Sequence, residues 1–327
     1  MDTSEIVDRC RSLPGVTVNS AAGYTELLLS GSDGDGRMRF IPIFHGVTLA
    51  QISVTAASWP APQPERCTPD TKGPLIINYC VRGRCELLLN DNRHVFLTVG
   101  HVSLTERFAQ NEYIYPGRAY EGIELFIDPD VASAGLPLLR DGFGVDIPHL
   151  REKYCPDGET FIAKMQLPEP LLGRLSAPEA DLSSVGAKTG VVDFLAMLLQ
   201  DGAAKQEPQV FYTKTQVEIA KQAERIITAD LSKTHAVREF AELFSISESS
   251  VKNYFFGVFG QSISQYTLHR RMLLAAELLQ ETRLPVIEVA NRVGYLNQSK
   301  FSAAFRREFS RTPLEYRREK NFPAGCD

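Results

Sequence analysis

The sequence has no segment of the kind that directs a protein into or across a membrane. Its 327 residues show no N-terminal basic stretch followed by an apolar one, and no apolar run near the ~20 residues that cross a bilayer. We therefore expect a cytoplasmic protein with no membrane partner. The apolar fraction of 43% and charged fraction of 23% are ordinary for a globular protein, and the length allows two domains.

Motifs for metal binding and catalysis are also missing. None of the six cysteines lies in a Cys-x-x-Cys pair, and no histidine stands beside them at zinc-ligand spacing. No nucleophile and base pair, phosphate-binding glycine loop or carboxylate pair stands out. We expect neither a metal nor another cofactor, and we do not expect an enzyme. Cys80 and Cys85 flank Arg82-Gly83, which we interpret as a hairpin turn, and we interpret both cysteines as structural.

Acidic charge dominates only one part of the chain. The formal net charge is −5, yet residues 209–327 contain 17 Lys and Arg against 13 Asp and Glu. Residues 1–208 contain the other 18 basic and 27 acidic residues. A basic half beside an acidic one suggests that the second half binds a polyanion, although ordinary variation also produces such differences.

The predicted secondary structure changes from strands to helices along the chain. Residues 37–128 form short aliphatic and aromatic runs separated by turn signals, which is typical of a β-barrel or sandwich. Residues 185–201 have apolar residues at helical spacing, and this helix either docks on its own barrel or forms a subunit contact. Residues 202–209 are polar, contain Gly and Pro, and coincide with the change in charge, so we predict a linker at 206–215. After it the periodicity is helical.

The helical half contains an internal repeat. Residues 236–246 match 285–295 at an offset of 49, and a one-residue insertion follows in the second turn. The pairs at an offset of 50 are Val251 and Phe301, Phe255 and Phe305, Phe259 and Phe309, and Tyr266 and Tyr316. Each copy reads as two short helices around a tight turn, which describes a helix-turn-helix. We predict helix starts at Ser247 and at Thr282 or Pro285, and one connecting helix over 268–282.

Polar residues occupy the outward positions of the second helix in each copy. The candidates for base contacts are Ser249, Lys252 and Asn253 in the first helix, and Gln298, Ser299 and Lys300 in the second. The candidates for phosphate contacts are Arg306, Arg307, Arg311, Arg317 and Arg318. A helix-turn-helix is also a common packing unit, so the duplication and the basic charge are what favour DNA.

From about residue 216 to 320 the sequence resembles the DNA-binding domain of the AraC/XylS family of transcriptional regulators. The residues that carry the resemblance are Ala290, Gly294-Tyr295, Ser299, Phe301, Phe305-Arg306, Phe309, Thr312-Pro313 and Tyr316-Arg317. The resemblance implies the base-contact positions named above, together with Ala303, and reading helices about one DNA turn, ~34 Å, apart. One departure is Ser310, which stands where the family has Gly, so we expect left-handed or tight backbone there.

The N-terminal half more weakly resembles the cupin-like sensory domains of this family. The metal-binding cupin pattern, two His one residue apart followed by Glu, is absent, because His94 and His101 are seven apart. The resemblance therefore implies a metal-free pocket for a small-molecule effector in the barrel. Trp59, Arg82, Glu86 and Tyr113 are conceivable lining residues, but a structural or surface role is the commoner explanation for each.

The expected fold is α+β in two domains, an N-terminal cupin-like β-barrel with accessory helices and a C-terminal all-α domain. We predict a sensory and dimerisation region at 1–205, a linker at 206–215, and the DNA-binding domain at 216–321. The two helix-turn-helix motifs fall at about 236–257 and 285–308. The implied partners are double-stranded DNA, an effector, a second copy of the chain and RNA polymerase.

The residues leave the mode of action open. The resemblance favours an activator, but nothing in the sequence distinguishes activation from repression. Two alternatives remain, a cupin-like enzyme and a protein-binding adaptor, each with a helical appendage. Catalytic turnover would favour the first, and a protein partner in place of DNA would favour the second.

Overall fold

The computed structural model describes residues 7, 10–21, 23–60, 73–89, 91–106, 112–135, 137–176 and 185–320. The chain forms two compact units, Met1–Thr213 and Lys214–Asp327. The first is rich in strands and the second is helical, which confirms the predicted two-domain α+β class. The borders of the linker that we predict from the sequence, 206 and 215, remain a prediction, as does the cupin-like identity of the first domain.

The first unit is built on one antiparallel sheet. Its described strands are β1 Val16–Ala21, β2 Tyr24–Gly31, β3 Gly34–Phe44, β4 Val47–Val54, β5 Ser58–Pro60, β6 Leu75–Leu88, β7 His94–Thr98, β8 His101–Thr105, β9 Glu112–Ile114, β10 Tyr120–Ile127 and β11 Phe161–Lys164. The main order is β1-β2-β3-β4-β10-β6-β8-β11, while β7 and β9 pair with β6, and β5 pairs with β9.

Both faces of the central strands are buried. On β6, Ile77 packs in one apolar cluster and its neighbour Ile76 packs in another, because successive side chains point to opposite faces. On β10, Leu125 and Phe126 divide between the clusters in the same way. A strand buried on both faces needs apolar residues at nearly every position, which explains the continuous runs in the sequence.

The predicted hairpin turn at Arg82-Gly83 is wrong, because β6 continues through it. Gly83 has φ +82°, and the pairing between β6 and β10 shifts register beside it. A Cβ on Gly83 would lie 1.9 Å from the Ala119 carbonyl oxygen, so the close approach of β10 requires glycine. Cys80 and Cys85 therefore lie on one strand. Both are buried free thiols, and burial raises the pKa of Cys80 to about 12.

A carboxyl group is buried within the sheet at Glu124. Asn78 Nδ2 donates to Glu124 Oε1 at 2.8 Å, and the Tyr120 hydroxyl donates to Asn78 Oδ1 at 2.7 Å. Burial raises the pKa of Glu124 to about 7. The folded unit therefore holds the proton on this carboxyl to a higher pH than an exposed glutamate does.

Five helices follow β10 in the described part of the first unit, with β11 between the third and the fourth, and the last of them docks on its own barrel. They are α1 Pro129–Gly135, α2 Pro137–Phe143, α3 Ile147–Tyr154, α4 Glu169–Leu175 and α5 Val185–Leu199. Phe194, Leu195 and Leu198 of α5 are fully buried in the same cluster as Ile77. The Tyr154 hydroxyl donates to the Leu198 carbonyl oxygen. Of the two interpretations of this helix, the structure shows packing within the chain.

The segment after α5 returns along the barrel before the second unit begins. Lys205 and Lys164 exchange backbone hydrogen bonds of 2.9 and 3.0 Å. Tyr212 and His94 exchange two of 2.8 Å. Between these two bridges, the Phe211 ring lies under the Arg93 guanidinium at 4.2 Å. Residues 205–212, which we call the strap, are thus tied to the barrel at both ends.

The described residues of the second unit form helices joined by short turns and loops. They are α6 Lys214–Ala229, α7 Val237–Phe244, α8 Glu248–Phe259, α9 Ile263–Glu281, α10 Val286–Arg292, α11 Gln298–Phe309 and α12 Pro313–Lys320. Ser247 caps α8 and Pro285 precedes α10, as the sequence predicts. The connecting helix α9 begins before residue 268, because Ser262 and Gln265 form a capping box. None of the described helices combines the length and apolar composition that spanning a bilayer requires.

Candidate nucleic-acid interface

The two halves of the second unit have the same internal packing. In each half, two Phe rings of one helix pack against one Tyr ring of the next. The centroid distances are 4.6 Å for Phe255 and Phe259, 5.5 Å for Phe255 and Tyr266, and 5.0 Å for Phe259 and Tyr266. They are 4.6 Å for Phe305 and Phe309, 5.3 Å for Phe305 and Tyr316, and 5.1 Å for Phe309 and Tyr316. The internal repeat in the sequence is thus a structural repeat, with α9 shared by both copies.

Each copy has left-handed backbone at two corresponding positions. The turn before the second helix contains Ser245 at φ 55° in the first copy and Gly294 at φ 81° in the second. The second helix ends at Gly260 with φ 70° in the first copy and at Ser310 with φ 59° in the second. The left-handed conformation expected at Ser310 is confirmed.

The predicted base-contact residues of α8 lie on one exposed face. The Ser247 hydroxyl accepts a hydrogen bond of 3.1 Å from the Ser250 amide and so fixes where the helix begins. The buried side of α8 includes Val251, Phe255 and Val258. Ser249, Lys252 and Asn253 are exposed on the opposite side. Glu248, at the first position of the helix, lies 3.9 Å from the Lys252 ammonium.

The predicted base-contact residues of α11 occupy its first turn. Asn297 caps this helix, since its Oδ1 accepts from the Lys300 amide at 2.9 Å. Gln298, Ser299 and Lys300 are exposed, and so is Ala303 one turn later, while Phe301 and Phe305 are fully buried. The N-terminal end of the second helix is the part that contacts bases in helix-turn-helix proteins. The packing of the Phe residues therefore turns the polar first turn outward.

Four of the predicted phosphate-contact arginines are exposed near the end of α11 and along α12. They are Arg306, Arg307, Arg311 and Arg318. The pKa of Glu315 at the start of α12 is lowered by the Thr312 amide and hydroxyl that donate to it, with smaller contributions from Arg306 and Arg318. Both arginines therefore lie near the Glu315 carboxylate, although they are twelve positions apart in the chain.

Arg317 differs from the other four arginines. Its Nε donates to the Leu279 carbonyl oxygen at 3.2 Å, and a terminal nitrogen donates to the Leu284 carbonyl oxygen at 2.6 Å. These carbonyls belong to the end of α9 and the loop after it, where backbone acceptors lack helical partners. The guanidinium is thus used to hold α12 against α9. This geometry gives Arg317 a structural role, and the phosphate contact expected of it remains a prediction.

Sequence reasoning missed two exposed apolar side chains that lie in, or directly before, the second helices of the motifs. Phe256 on α8 is 58% exposed, and Leu296, immediately before the α11 cap, is 98% exposed. Phe256 follows the buried Phe255 directly, so it lies out of phase with the apolar stripe. The exposure of Phe256 could therefore have been predicted from the sequence. The exposure of Leu296 could not, because it depends on the conformation of the turn.

The residues proposed to line an effector pocket in the barrel have other positions. Trp59 is fully buried in an apolar cluster, and Tyr113 packs against the same cluster. Glu86 is buried with Oε1 2.7 Å from His94 Nδ1. Arg82 is on the surface and pairs with Glu121 at 3.2 Å. The structure therefore does not bring these four side chains together as one pocket lining.

Comparison with known proteins gives a family match that lies within the second unit. The model of a family described as a helix-turn-helix domain matches residues 240–319. Regulatory protein SoxS of Salmonella typhimurium is 47% identical over 57 residues, which make up 17% of this chain and 53% of SoxS. The HTH-type transcriptional activator RhaR of Mannheimia succiniciproducens is 28% identical over 186 residues, 55% of this chain and 63% of RhaR. The C-terminal domain of the response regulator AraT from Geobacillus stearothermophilus is a solved structure with 32% identity and a TM-score of 0.31, covering 33% of this chain and 91% of that domain.

The chain spans about half the length of the SoxS proteins that it matches. The family match begins within α7 and ends within α12, so it includes both tight turns and both helices with exposed polar faces. It therefore coincides with the repeat that the aromatic packing defines. Residues 240–319 form a helix-turn-helix domain of the AraC type.

Proposed function

We propose that this protein is a sequence-specific transcriptional regulator that binds double-stranded DNA through its second unit. The observation that carries the proposal is the repeated motif, in which the same aromatic packing turns two polar helix faces outward. Two such faces in one unit suit a DNA site read in two adjacent major grooves. The AraC-type domain supports this function, because the residues with exposed polar side chains fall inside the matched range.

Specific roles follow for the exposed residues. We assign base contacts to Ser249, Lys252 and Asn253 on α8 and to Gln298, Ser299 and Lys300 on α11, because their hydroxyl, amide and ammonium groups match the polar base edges of the major groove. We assign phosphate contacts to Arg306, Arg307, Arg311 and Arg318, which are exposed guanidinium groups beyond the first turn of α11.

Two variants test these roles on the full chain. Lys300→Ala should weaken binding to a selected DNA site about tenfold and relax its base preference, since one base contact is worth about 1–3 kcal/mol. Arg306→Ala should weaken binding to all sequences alike and reduce the salt slope by about one. Lys188→Ala, which removes an exposed charge from α5 in the first unit, is the matched control. Wild-type affinity and salt slope in both variants would overturn the assignment, and the absence of any selected sequence would overturn the function.

We further propose that a small molecule controls the protein through the first unit. A cavity of about 510 Å³ lies beneath the strap, and its lining includes Leu89, Arg93 and Ile162 of the barrel and Phe211 of the strap. A ligand there would contact the segment that leads directly into α6. A thermal-shift screen of metabolites against the full chain tests this, with Phe211→Ala expected to abolish any stabilisation found.

The proposal extends to the mode of regulation, the oligomeric state and the location of the protein. The RhaR relatives are described as activators, which supports activation, with RNA polymerase as a further partner. Among the described strands β1 pairs only with β2, so its outer edge offers backbone groups to a second copy, which supports a homodimer. We also propose a cytoplasmic location, where chromosomal DNA is accessible. The regulators among the relatives support a role without catalysis.

A further inference from the structure

The exposed face of α8 is longer than the three polar residues assigned to base contacts. Ser249, Lys252, Asn253 and Phe256 are spaced i, i+3, i+4 and i+7, which places them along one side of an α-helix. Phe256 lies one turn beyond Lys252 and Asn253, or about 5 Å along the helix axis. The DNA-facing stripe of α8 therefore ends in an aromatic side chain.

The duplicate motif supports a DNA-facing position for Phe256, because its counterpart is one of the assigned phosphate-contact residues. Phe255 and Phe305 are equivalent and both are fully buried, so Phe256 corresponds to Arg306. An arginine there can bind phosphate in any sequence, whereas a phenyl ring cannot. Single exposed apolar residues are common on protein surfaces, and Leu314 on α12 is one, at 52% exposure. Phe256 differs from Leu314 because it lies on the same side of its helix as three assigned base-contact residues.

The charge of α8 is consistent with a helix that contacts bases rather than phosphates. Its only charged residues are Glu248 and Lys252, which are of opposite sign and 3.9 Å apart. In α11, by contrast, Lys300, Arg306 and Arg307 outnumber Glu308. Counterion release therefore contributes more to binding by α11, and α8 depends more on contacts within the groove.

We propose that Phe256 contacts the 5-methyl group of a thymine and makes α8 selective for thymine at that position. The thymine methyl is the only apolar group that base pairs present in the major groove, and phenylalanine is among the side chains that contact it. The inference rests on the proposed function. It adds a specificity determinant outside the polar set.

The test uses the full chain and a DNA site selected by it from a random pool. Each thymine of the site is replaced in turn by deoxyuridine, which removes only the methyl group. Wild-type affinity should fall about fourfold at one or two positions, the factor for one methyl removed from water. Phe256→Ala should lose a similar factor on thymine DNA and show no further loss on deoxyuridine DNA. Phe256→Leu should keep part of the methyl dependence, and Leu314→Ala should behave as wild type.

The outcomes separate this inference from the function beneath it. If Phe256→Ala keeps the wild-type affinity and methyl dependence, or if deoxyuridine has no effect on wild type, the thymine contact is refuted while DNA binding stands. If Phe256→Ala is weaker on every DNA by the same factor and stays sensitive to the methyl group, Phe256 acts elsewhere and the inference fails. If no sequence is selected at all, the proposed function fails and the inference with it.

Discussion

Replacing Ser310 with glycine should stabilise the second motif, because Ser310 ends α11 in a left-handed conformation with φ 59° and ψ 16°. That conformation costs a non-glycine residue about 1–2 kcal/mol. Glycine avoids this cost, but it also has more conformational entropy in the unfolded chain, which lowers the free energy of unfolding by about 0.4–1 kcal/mol. The Ser310 side chain is exposed. We therefore expect a net stabilisation of about 1 kcal/mol.

Amide hydrogen exchange of the full chain measures this effect where it acts. Amides in α11 and α12 exchange through openings that release the turn at Ser310. A stabilisation of about 1 kcal/mol should slow that exchange about fivefold. Peptides from the first unit should exchange at the wild-type rate, because its apolar clusters are separate from that of the second motif.

The first motif supplies the matched reverse change. Gly260 ends α8 at φ 70°, so Gly260→Ser should speed exchange in α8 and α9 by about the same factor. The pair of variants thus interchanges the residues of two equivalent positions. If Ser310→Gly leaves exchange in α11 and α12 unchanged or speeds it, the backbone at Ser310 is not strained and the reasoning is refuted. The same conclusion follows if Gly260→Ser is neutral.

Two further predictions concern Arg317 and Glu124. Arg317→Ala should destabilise the second unit by about 2 kcal/mol in thermal unfolding, since two backbone carbonyls lose a charged donor, yet leave the salt slope of DNA binding unchanged. A slope reduced by one, as expected for Arg306→Ala, would contradict the structural role. The pKa of Glu124 rises from 4.5 to about 7 on folding, so its favourable contribution is complete below pH 4.5 and is lost as the pH rises through 7. Calorimetry should show the first unit about 3 kcal/mol less stable at pH 8 than at pH 4.5 through this group, and Glu124→Gln should remove that dependence. Equal pH dependence in both proteins would contradict it.

The helical unit was readable from the sequence because its signals are local. The phase of Phe255 and Phe259 within α8 fixes the buried side, and the cap at Ser247 fixes where the helix begins. The outward placement of Lys252 and Asn253 follows from these two facts alone. Where the prediction of α9 fell short, the missing signal was also local, since the capping box at Ser262 begins the helix early.

Features that depend on distant residues could not be predicted. Arg317 reaches carbonyls 38 and 33 positions earlier in the chain, and nothing near Arg317 in the sequence distinguishes it from Arg318. Similarly, Arg82-Gly83 has the composition of a turn, and only the approach of β10 makes Gly83 a bulge within a strand. The strap over the barrel also depends on long-range pairings, since Tyr212 and His94 are 118 positions apart and Lys205 and Lys164 are 41 positions apart.

The left-handed positions show that the two copies share a backbone conformation but not the residue types that adopt it. The first copy has Ser245 in the turn and Gly260 at the helix end, and the second copy reverses this with Gly294 and Ser310. Backbone conformation is therefore the same in both copies while the residue type is not. At Ser310 the constraint is the packing of Phe305 and Phe309 on Tyr316, which spans the turn that Ser310 begins. Because the same packing turns the polar face of α11 outward, strain at Ser310 is a consequence of holding this reading helix in position.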